Sequence, residues 1–190
     1  MESAVAITVL LLVLLLATSI AWTYRSMYKM RSMCDDAFTH LLAAIRKEHL
    51  ILEHLVESIP SRFAPCLQTQ VTRDRLSANA ILKSMLEEPA NRLLPRSLSQ
   101  AQSELWLSTD QLLRLAENDE DVMNLPTVNA CLLGLAEARE ASYQAMLKYN
   151  HSIITMSAFT ELSLPSIVCR LMRRESNQRT LIDWTPDVSI

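Results

Sequence analysis

The chain of 190 residues contains one glycine, Gly134. Phosphate-cradling loops are built from several glycines, so P-loop and Rossmann nucleotide sites are excluded at the motif level. A turn-rich β protein is disfavoured for the same reason. Cys34, Cys66, Cys131 and Cys169 are widely spaced with no CxxC pair, which leaves zinc-ribbon and thioredoxin-like readings without support. In a reducing compartment they are expected to be four thiols, mostly buried. Nor is there an excess of positive charge. Eighteen Lys and Arg face 21 Asp and Glu, a net charge of −3, and a pI near 5.8 argues against nucleic acid as a partner. HExxH, Glu-x-x-His and G-x-S-x-G are all absent, so the usual zinc-protease, di-metal bundle and hydrolase signatures are missing. The sequence therefore assigns no catalytic residue, cofactor or metal.

What the chain does have is an uncharged run from Ala4 to Trp22, nineteen residues of mostly Val, Ile, Leu and Ala. As a helix it would rise about 28 Å, close to the roughly 30 Å hydrocarbon core of a bilayer. Arg25, Lys29 and Arg31 follow it, and Trp22 and Tyr24 fall where an aromatic belt would lie. These five residues are expected at a membrane interface. A cleaved signal peptide would need a basic stretch before the apolar run, and here there is only Met1-Glu2-Ser3. Cations after the run predict a single-pass anchor with the N-terminus outside and the body in the cytoplasm.

Beyond the run, Cys34, Ala37, Leu41, Ala44, Ile51 and Leu55 keep a 3-4 alternation, with Glu48 its one polar break. A second apolar line passes through Phe38, Leu42, Ile45, Leu52, Val56 and Ile59, giving a broad buried stripe. No proline or glycine intervenes before Pro60, so one helix is expected from the anchor to about Ser58. A second is expected from about Cys66 to Glu88, and a third from a Ser99–Gln102 capping box to about Asn118. A fourth carries Leu125, Val128, Leu132, Leu135, Met146, Tyr149, Ile153 and Met156 in one heptad register, broken by Arg139 and Ser142. The expected class is all-α: a single N-terminal transmembrane helix continuous with an elongated, coiled-coil-like antiparallel four-helix bundle. Residues 1–24 would be the anchor, 25–160 the bundle, and 161–190 a basic amphipathic segment and tail.

Parity places the end of the fourth helix near the bilayer. There Arg170, Arg173 and Arg174 alternate with Ile167, Val168, Leu171 and Met172. Such a segment either lies in an anionic headgroup layer or packs on the bundle as a fifth helix. Arg139, at an otherwise apolar register position, is expected either to recognise a partner's carboxylate or to pair internally with an acid such as Asp35 or Asp36. The four histidines read as surface or satisfied core residues.

Several motifs resemble the LemA family. Tyr24, Met27, Arg31, Asp35, Asp36, Ala37 and Phe38 stand against the family's Y-N-x-L-x-x-x-R-x-x-V-D-E-A-W, and Leu55-Val56-Glu57 against its L-V-E. Leu112 to Asn118 is similar to L-L-x-L-A-E-N. Ala138-Arg139 and Tyr149-Asn150 match parts of A-R-x-x-Y-N-x-A-V-x-x-Y-N. The departures are Arg25 for the first Asn, Leu50, Glu53 and His54 within D-L-I-P-N-L-V-E, Tyr143 for an Asn, and a missing Phe-Pro. The resemblance covers roughly residues 24–150. It implies a bacterial inner-membrane protein with a helical body and lends no catalytic residue.

Composition and resemblance together lead to a non-enzymatic membrane scaffold or adaptor. Its expected partners are the lipid bilayer, an unidentified membrane or cytoplasmic protein, and a second copy of itself. The competing expectations are a membrane-associated metal-dependent or hydrolytic enzyme with an unfamiliar site, and a homo-oligomeric membrane-remodelling or assembly protein.

Overall fold

The computed structural model describes residues 2–88, 91, 93–161 and 181–182. Five helices follow in order: α1 (Glu2–Ser58), α2 (Pro65–Glu87), α3 (Leu94–Glu117), α4 (Glu120–Met123) and α5 (Pro126–Glu161). The described residues include no strand.

Prolines punctuate the chain. α1 runs for 57 residues because nothing within it breaks the hydrogen-bond ladder, and it stops before Ile59, which the following Pro60 disfavours in the α region. α2, α3 and α5 each carry a proline in the first turn (Pro65, Pro95 and Pro126), where the absent N–H has no intrahelical partner to lose. The turn before α2 is tied by the Gln68 carboxamide, which donates to the carbonyls of Pro60 and Phe63 at 3.0 and 2.7 Å. Its last residue, Ala64, adopts φ 40° and ψ 53°, the left-handed region that glycine normally supplies. Asp119 caps the short α4 by accepting from the Val122 N–H at 3.2 Å. The acidic run Asn118–Asp121 thus starts a helical turn.

The expected capping box at Ser99 is not formed. α3 begins five residues earlier, at Leu94, and the Ser99 hydroxyl donates back to the Pro95 carbonyl at 3.0 Å within the helix. Pro95 rather than Ser99 sets the start. Near the end of α3, Leu115 is 48% exposed and Ala116 takes the buried position.

α1 packs along α5 and α2 along α3, with α1 also touching α2. Contacts between α1 and α5 run in opposite directions along the two helices. Trp22 meets Phe159 edge-on with ring centroids 6.5 Å apart. Cys34 Sγ lies 3.8 Å from Met156 Sδ, Phe38 stacks on Tyr149 at 5.7 Å, Glu48 meets Ser142 and Ile51 faces Gly134. α2 likewise runs opposite to α1, with Asn79 beside His49 and Arg75 beside Glu53.

Two apolar clusters fill the interior. One is built on Leu52, Leu55, Val71, Leu105, Leu112, Val128 and Leu135. The other lies nearer the N-terminal half of α1 and holds Phe38, Leu41, Leu42, Ile45, Met146 and Tyr149. The second also contains Ile182, far along the chain. Of the cysteines, Cys34 is buried, Cys131 half-buried and Cys66 exposed, so Cys66 departs from the expected burial. Cys169 lies outside the described residues.

The first third of α1 differs from everything else. Its apolar side chains from Val5 to Leu16 are 54–65% exposed. This is the one helix among the described residues long and apolar enough to cross a membrane.

Candidate functional site

Between the two apolar clusters lies a buried polar network, assembled from α1, α2, α3 and α5. Its centre is Glu48, 2% exposed, on the inward face of α1 between Ile45 and Leu52. A carboxylate taken from water needs donors to replace its lost hydration, and three surround it. Trp106 Nε1–H donates to Oε1 at 2.6 Å, the Gln102 amide donates to the same oxygen at 3.3 Å, and the Ser142 hydroxyl donates to Oε2 at 2.7 Å. Arg139 Nε lies 3.9 Å from Oε1. That distance supports Coulombic attraction but exceeds a hydrogen bond, and this nitrogen is buried without a hydrogen-bond partner.

Arg139 makes its direct bond elsewhere. Nη1 donates to Asp110 Oδ1 at 2.7 Å, and the guanidinium lies 5.4 Å from the centre of the Trp106 ring, within cation–π range. The internal acid expected for Arg139 is therefore Asp110, with Glu48 behind it, rather than Asp35 or Asp36. The reason is axial position: Asp35 and Asp36 lie more than three helical turns of α1 before Glu48, whereas α3 brings Asp110 alongside.

His49 extends the network to α2. It is 2% exposed, with Nε2 3.0 Å from Gln102 Oε1 and Nδ1 2.8 Å from Asn79 Oδ1. Gln102 is oriented by its donation to Glu48, so its oxygen faces His49 and Nε2 must carry a proton. A neutral ring then needs a donor at Nδ1, which Asn79 supplies when its amide is turned end for end; a ring protonated at both nitrogens suits the oxygen as placed. His49 is thus a satisfied core histidine. His40, His54 and His151 are exposed, with His54 3.6 Å from Glu57 at the surface. Glu53, which shares a helix face with His49, pairs instead with Arg75 at 2.8 Å.

This arrangement is closed. The donors to Glu48 belong to the protein itself, and both the carboxylate and Ser142 are sealed from solvent. Among the described residues no group of three His, Cys, Asp or Glu converges as a metal site would require. Chemically the network fixes which helices meet and in what register, because a one-residue slip on α1 or α5 would bury Glu48 or Arg139 against hydrocarbon.

A second polar arrangement lies farther along α5. The Asn150 carboxamide brackets one residue of the C-terminal tail: Nδ2 donates to the Ile182 carbonyl at 2.5 Å, and Oδ1 accepts from the Ile182 N–H at 3.0 Å. The Ile182 side chain is fully buried, while Leu181 beside it is 51% exposed. Burying an isoleucine contributes about 1.5–3 kcal/mol, and two hydrogen bonds about 0.5–1.5 kcal/mol each. Closing the roughly twenty residues between the end of α5 and Ile182 opposes them with about 3 kcal/mol. The tail is held by a small margin.

The remaining residues singled out in the sequence are placed as follows. Trp22, Tyr24, Arg25, Lys29 and Arg31 are exposed on α1 just beyond the apolar shaft, Asp36 is exposed, and Asp35 is half-buried. Tyr149 is buried against Phe38. Arg170, Arg173 and Arg174 lie outside the described residues. Sequence reasoning missed Gln102, Trp106, Asp110, Asn79 and Ile182. Gln102 and Trp106 stand four apart among Leu98, Ala101 and Leu105, a spacing that places both on the inward side of α3.

The class these features define is an all-α protein whose long apolar N-terminal helix packs on other helices around a closed polar network. Comparison with protein-family models, curated proteins and solved structures finds no match for the chain.

Proposed function

We propose that the protein is a single-pass membrane scaffold or adaptor of the LemA type, in which one helix is both the anchor and the first strut of an elongated antiparallel four-helix bundle. The observation that carries this reading is the continuity of α1. Its exposed apolar shaft, its flanking cations and Glu48 at the centre of the core all belong to one unbroken helix. An apolar surface of that length on a water-soluble protein would drive aggregation, whereas a bilayer covers it. With Arg25, Lys29 and Arg31 beyond the shaft, the body lies in the cytoplasm.

The resemblance to LemA adds support because its motif residues take structural roles: Arg139 completes the buried network, Tyr149 packs in the core and Asn150 holds the tail. A non-enzymatic role fits a polar centre whose Glu48, Gln102 and Ser142 side chains are buried and hydrogen-bonded within the protein. The α5 end also supports the orientation of the bundle, since Phe159 returns to the level of Trp22 and so to the membrane surface.

Reporter fusions at Ile190 test the topology: a reporter active only in the cytoplasm is expected, and one active only outside reverses the orientation. Affinity purification from detergent-solubilised membranes, followed by mass spectrometry, tests the scaffold. Reproducible recovery of a second protein is expected. Recovery of the chain alone, together with a stoichiometric metal, would replace the scaffold with the enzyme reading.

A further inference from the structure

Sulfur gathers at one level of the seam between α1 and α5. Met27, Met30 and Cys34 stand at i, i+3 and i+7 on α1, a spacing that puts all three on one helix face. That face meets α5, because Cys34 is 2% exposed and its Sγ lies 3.8 Å from Sδ of Met156. Met27, Met30 and Met156 are half-buried, so the thioethers lie between solvent and the sealed thiol. Farther along the same face the chain turns to carbon, with Ala37 and Leu41.

Two sulfurs that share one metal ion at about 2.3 Å, a usual metal–thiolate bond length, lie about 3.8 to 4.0 Å apart at tetrahedral to trigonal angles. The 3.8 Å between Cys34 and Met156 falls in that range, so neither sulfur has to move to take an ion between them. A thiolate with thioethers is a soft donor set, which selects copper(I) over harder ions. Charge selects it as well. One thiolate cancels a monovalent cation, whereas a divalent ion would leave a buried positive charge without compensation. Zinc would want three or four thiolate, imidazole or carboxylate ligands, and no group of three such residues gathers among the described residues.

We propose that Cys34, Met156 and Met30 form a binding site for one copper(I) ion at the α1–α5 seam. The ion replaces the thiol proton: the S–H bond of Cys34 breaks, an S–Cu bond forms, the proton leaves to solvent and no electron is transferred. Met156 supplies the second sulfur from α5. Met30, one turn before Cys34, supplies the third, reached by a rotamer change of its unbranched side chain. Because the ligands come from two helices, the bound ion ties α1 to α5. The site is independent of the Glu48 network and of the scaffold reading, and a copper(I) ion held by sulfur alone is no hydrolytic centre.

The test titrates copper(I) anaerobically into the full chain in lipid nanodiscs, in competition with the chromogenic chelator bicinchoninate. One copper(I) per chain is expected, with one proton released. Cys34→Ser is expected to weaken binding at least a hundredfold, Met156→Leu at least tenfold and Met30→Leu at least threefold. Met156→Leu keeps the side-chain volume, so with helical content unchanged its lost affinity reports ligation and not packing. A chain with Cys66, Cys131 and Cys169 all changed to Ser is expected to bind as the wild type does. Equal affinity for the wild-type and Cys34→Ser chains overturns the proposal, as does full affinity in Met156→Leu. X-ray absorption at the copper edge gives a second reading. A shell of two or three sulfurs at about 2.3 Å is expected, and a shell of nitrogen or oxygen overturns the proposal.

Discussion

The hydroxyl of Ser142 on α5 donates to Oε2 of Glu48 on α1 across 2.7 Å, with both side chains sealed from solvent. Each residue interrupts the apolar register of its own helix, and the two interruptions meet. Antiparallel packing makes that possible, because it sets Glu48, ten residues before the end of α1, against Ser142, sixteen residues after the start of α5. Breaks that would each destabilise an isolated seam become a mutual contact that only one register satisfies.

Glu48→Leu should therefore be costly. It leaves the Trp106 N–H, the Gln102 amide and the Ser142 hydroxyl without their acceptor, and it removes one of two carboxylates from Arg139. Breaking a buried ionic group in this way costs about 3–5 kcal/mol. Glu48→Gln keeps the shape and one carbonyl oxygen and should cost about 1–2 kcal/mol, mostly through the lost charge. Changing Glu48 to Leu together with Ser142 to Ala removes one orphaned donor and should recover only part of the single-variant loss, since the Trp106 N–H and the Gln102 amide stay without an acceptor. Denaturant unfolding of the detergent-solubilised protein checks all three, and a Glu48→Leu loss below about 1 kcal/mol would show that the network is not closed as described.

How far the sequence foretold this site depends on the kind of signal. Helix ends were legible because prolines set them: α1 stops at Ser58 before Pro60, and α2 starts at Pro65. The polar breaks Glu48, Arg139 and Ser142 were visible as departures from a 3-4 pattern on α1 and α5. Their partners were less so: Gln102 and Trp106 share the inward face of α3 with Leu98, Ala101 and Leu105, but the face alone does not say that Glu48 is what they meet. Asp110 was hidden for a related reason, as pairing across helices depends on axial register, which periodicity does not fix. Ile182 was the least visible, because Leu181 and Ile182 stand side by side in a mostly polar stretch with no period to mark which of them is buried.

Trp106→Phe removes one donor of the network. One aromatic ring stays, in a smaller side chain, and the donor 2.6 Å from Glu48 Oε1 is lost; a double-mutant cycle separates that loss from the packing lost with the second ring. A hydrogen bond to a charged group contributes about 1.5–3 kcal/mol, so a loss in that range is expected. Coupling to Glu48 should be evident in a double-mutant cycle, where Trp106→Phe in the Glu48→Gln background costs less than it does alone. Additive losses would place the stabilisation in packing instead.

Gly134 offers the opposite sign. It lies within α5, and a methyl group built on its backbone would sit 3.7 Å from the Cδ1 and Cγ2 atoms of Ile51, ordinary van der Waals contact. No left-handed backbone requires glycine there. Gly134→Ala should stabilise the fold by about 0.5–1 kcal/mol through the lower entropy of the unfolded chain and better helix propensity. Thermal unfolding followed by circular dichroism reads this as a higher Tm. A lower Tm would mean that α5 approaches α1 more closely than the 3.7 Å contact implies.

The membrane assignment has its own point variant. Leu12 lies in the middle of the exposed apolar shaft and is 61% exposed, so replacing it disturbs no contact within the helical body. An arginine near the centre of a spanning helix costs about 2.5–3.5 kcal/mol for insertion, equivalent to a shift of about two orders of magnitude in the inserted fraction. Leu12→Arg should move the protein out of the membrane fraction while its helical content beyond residue 24 persists. Leu50→Arg is the control, since Leu50 is also exposed but belongs to the helical body; that variant should remain with the membrane. If Leu12→Arg fractionates with the membrane as fully as the unaltered chain, the shaft is not what holds the protein there, and the anchor would have to be sought elsewhere in the chain.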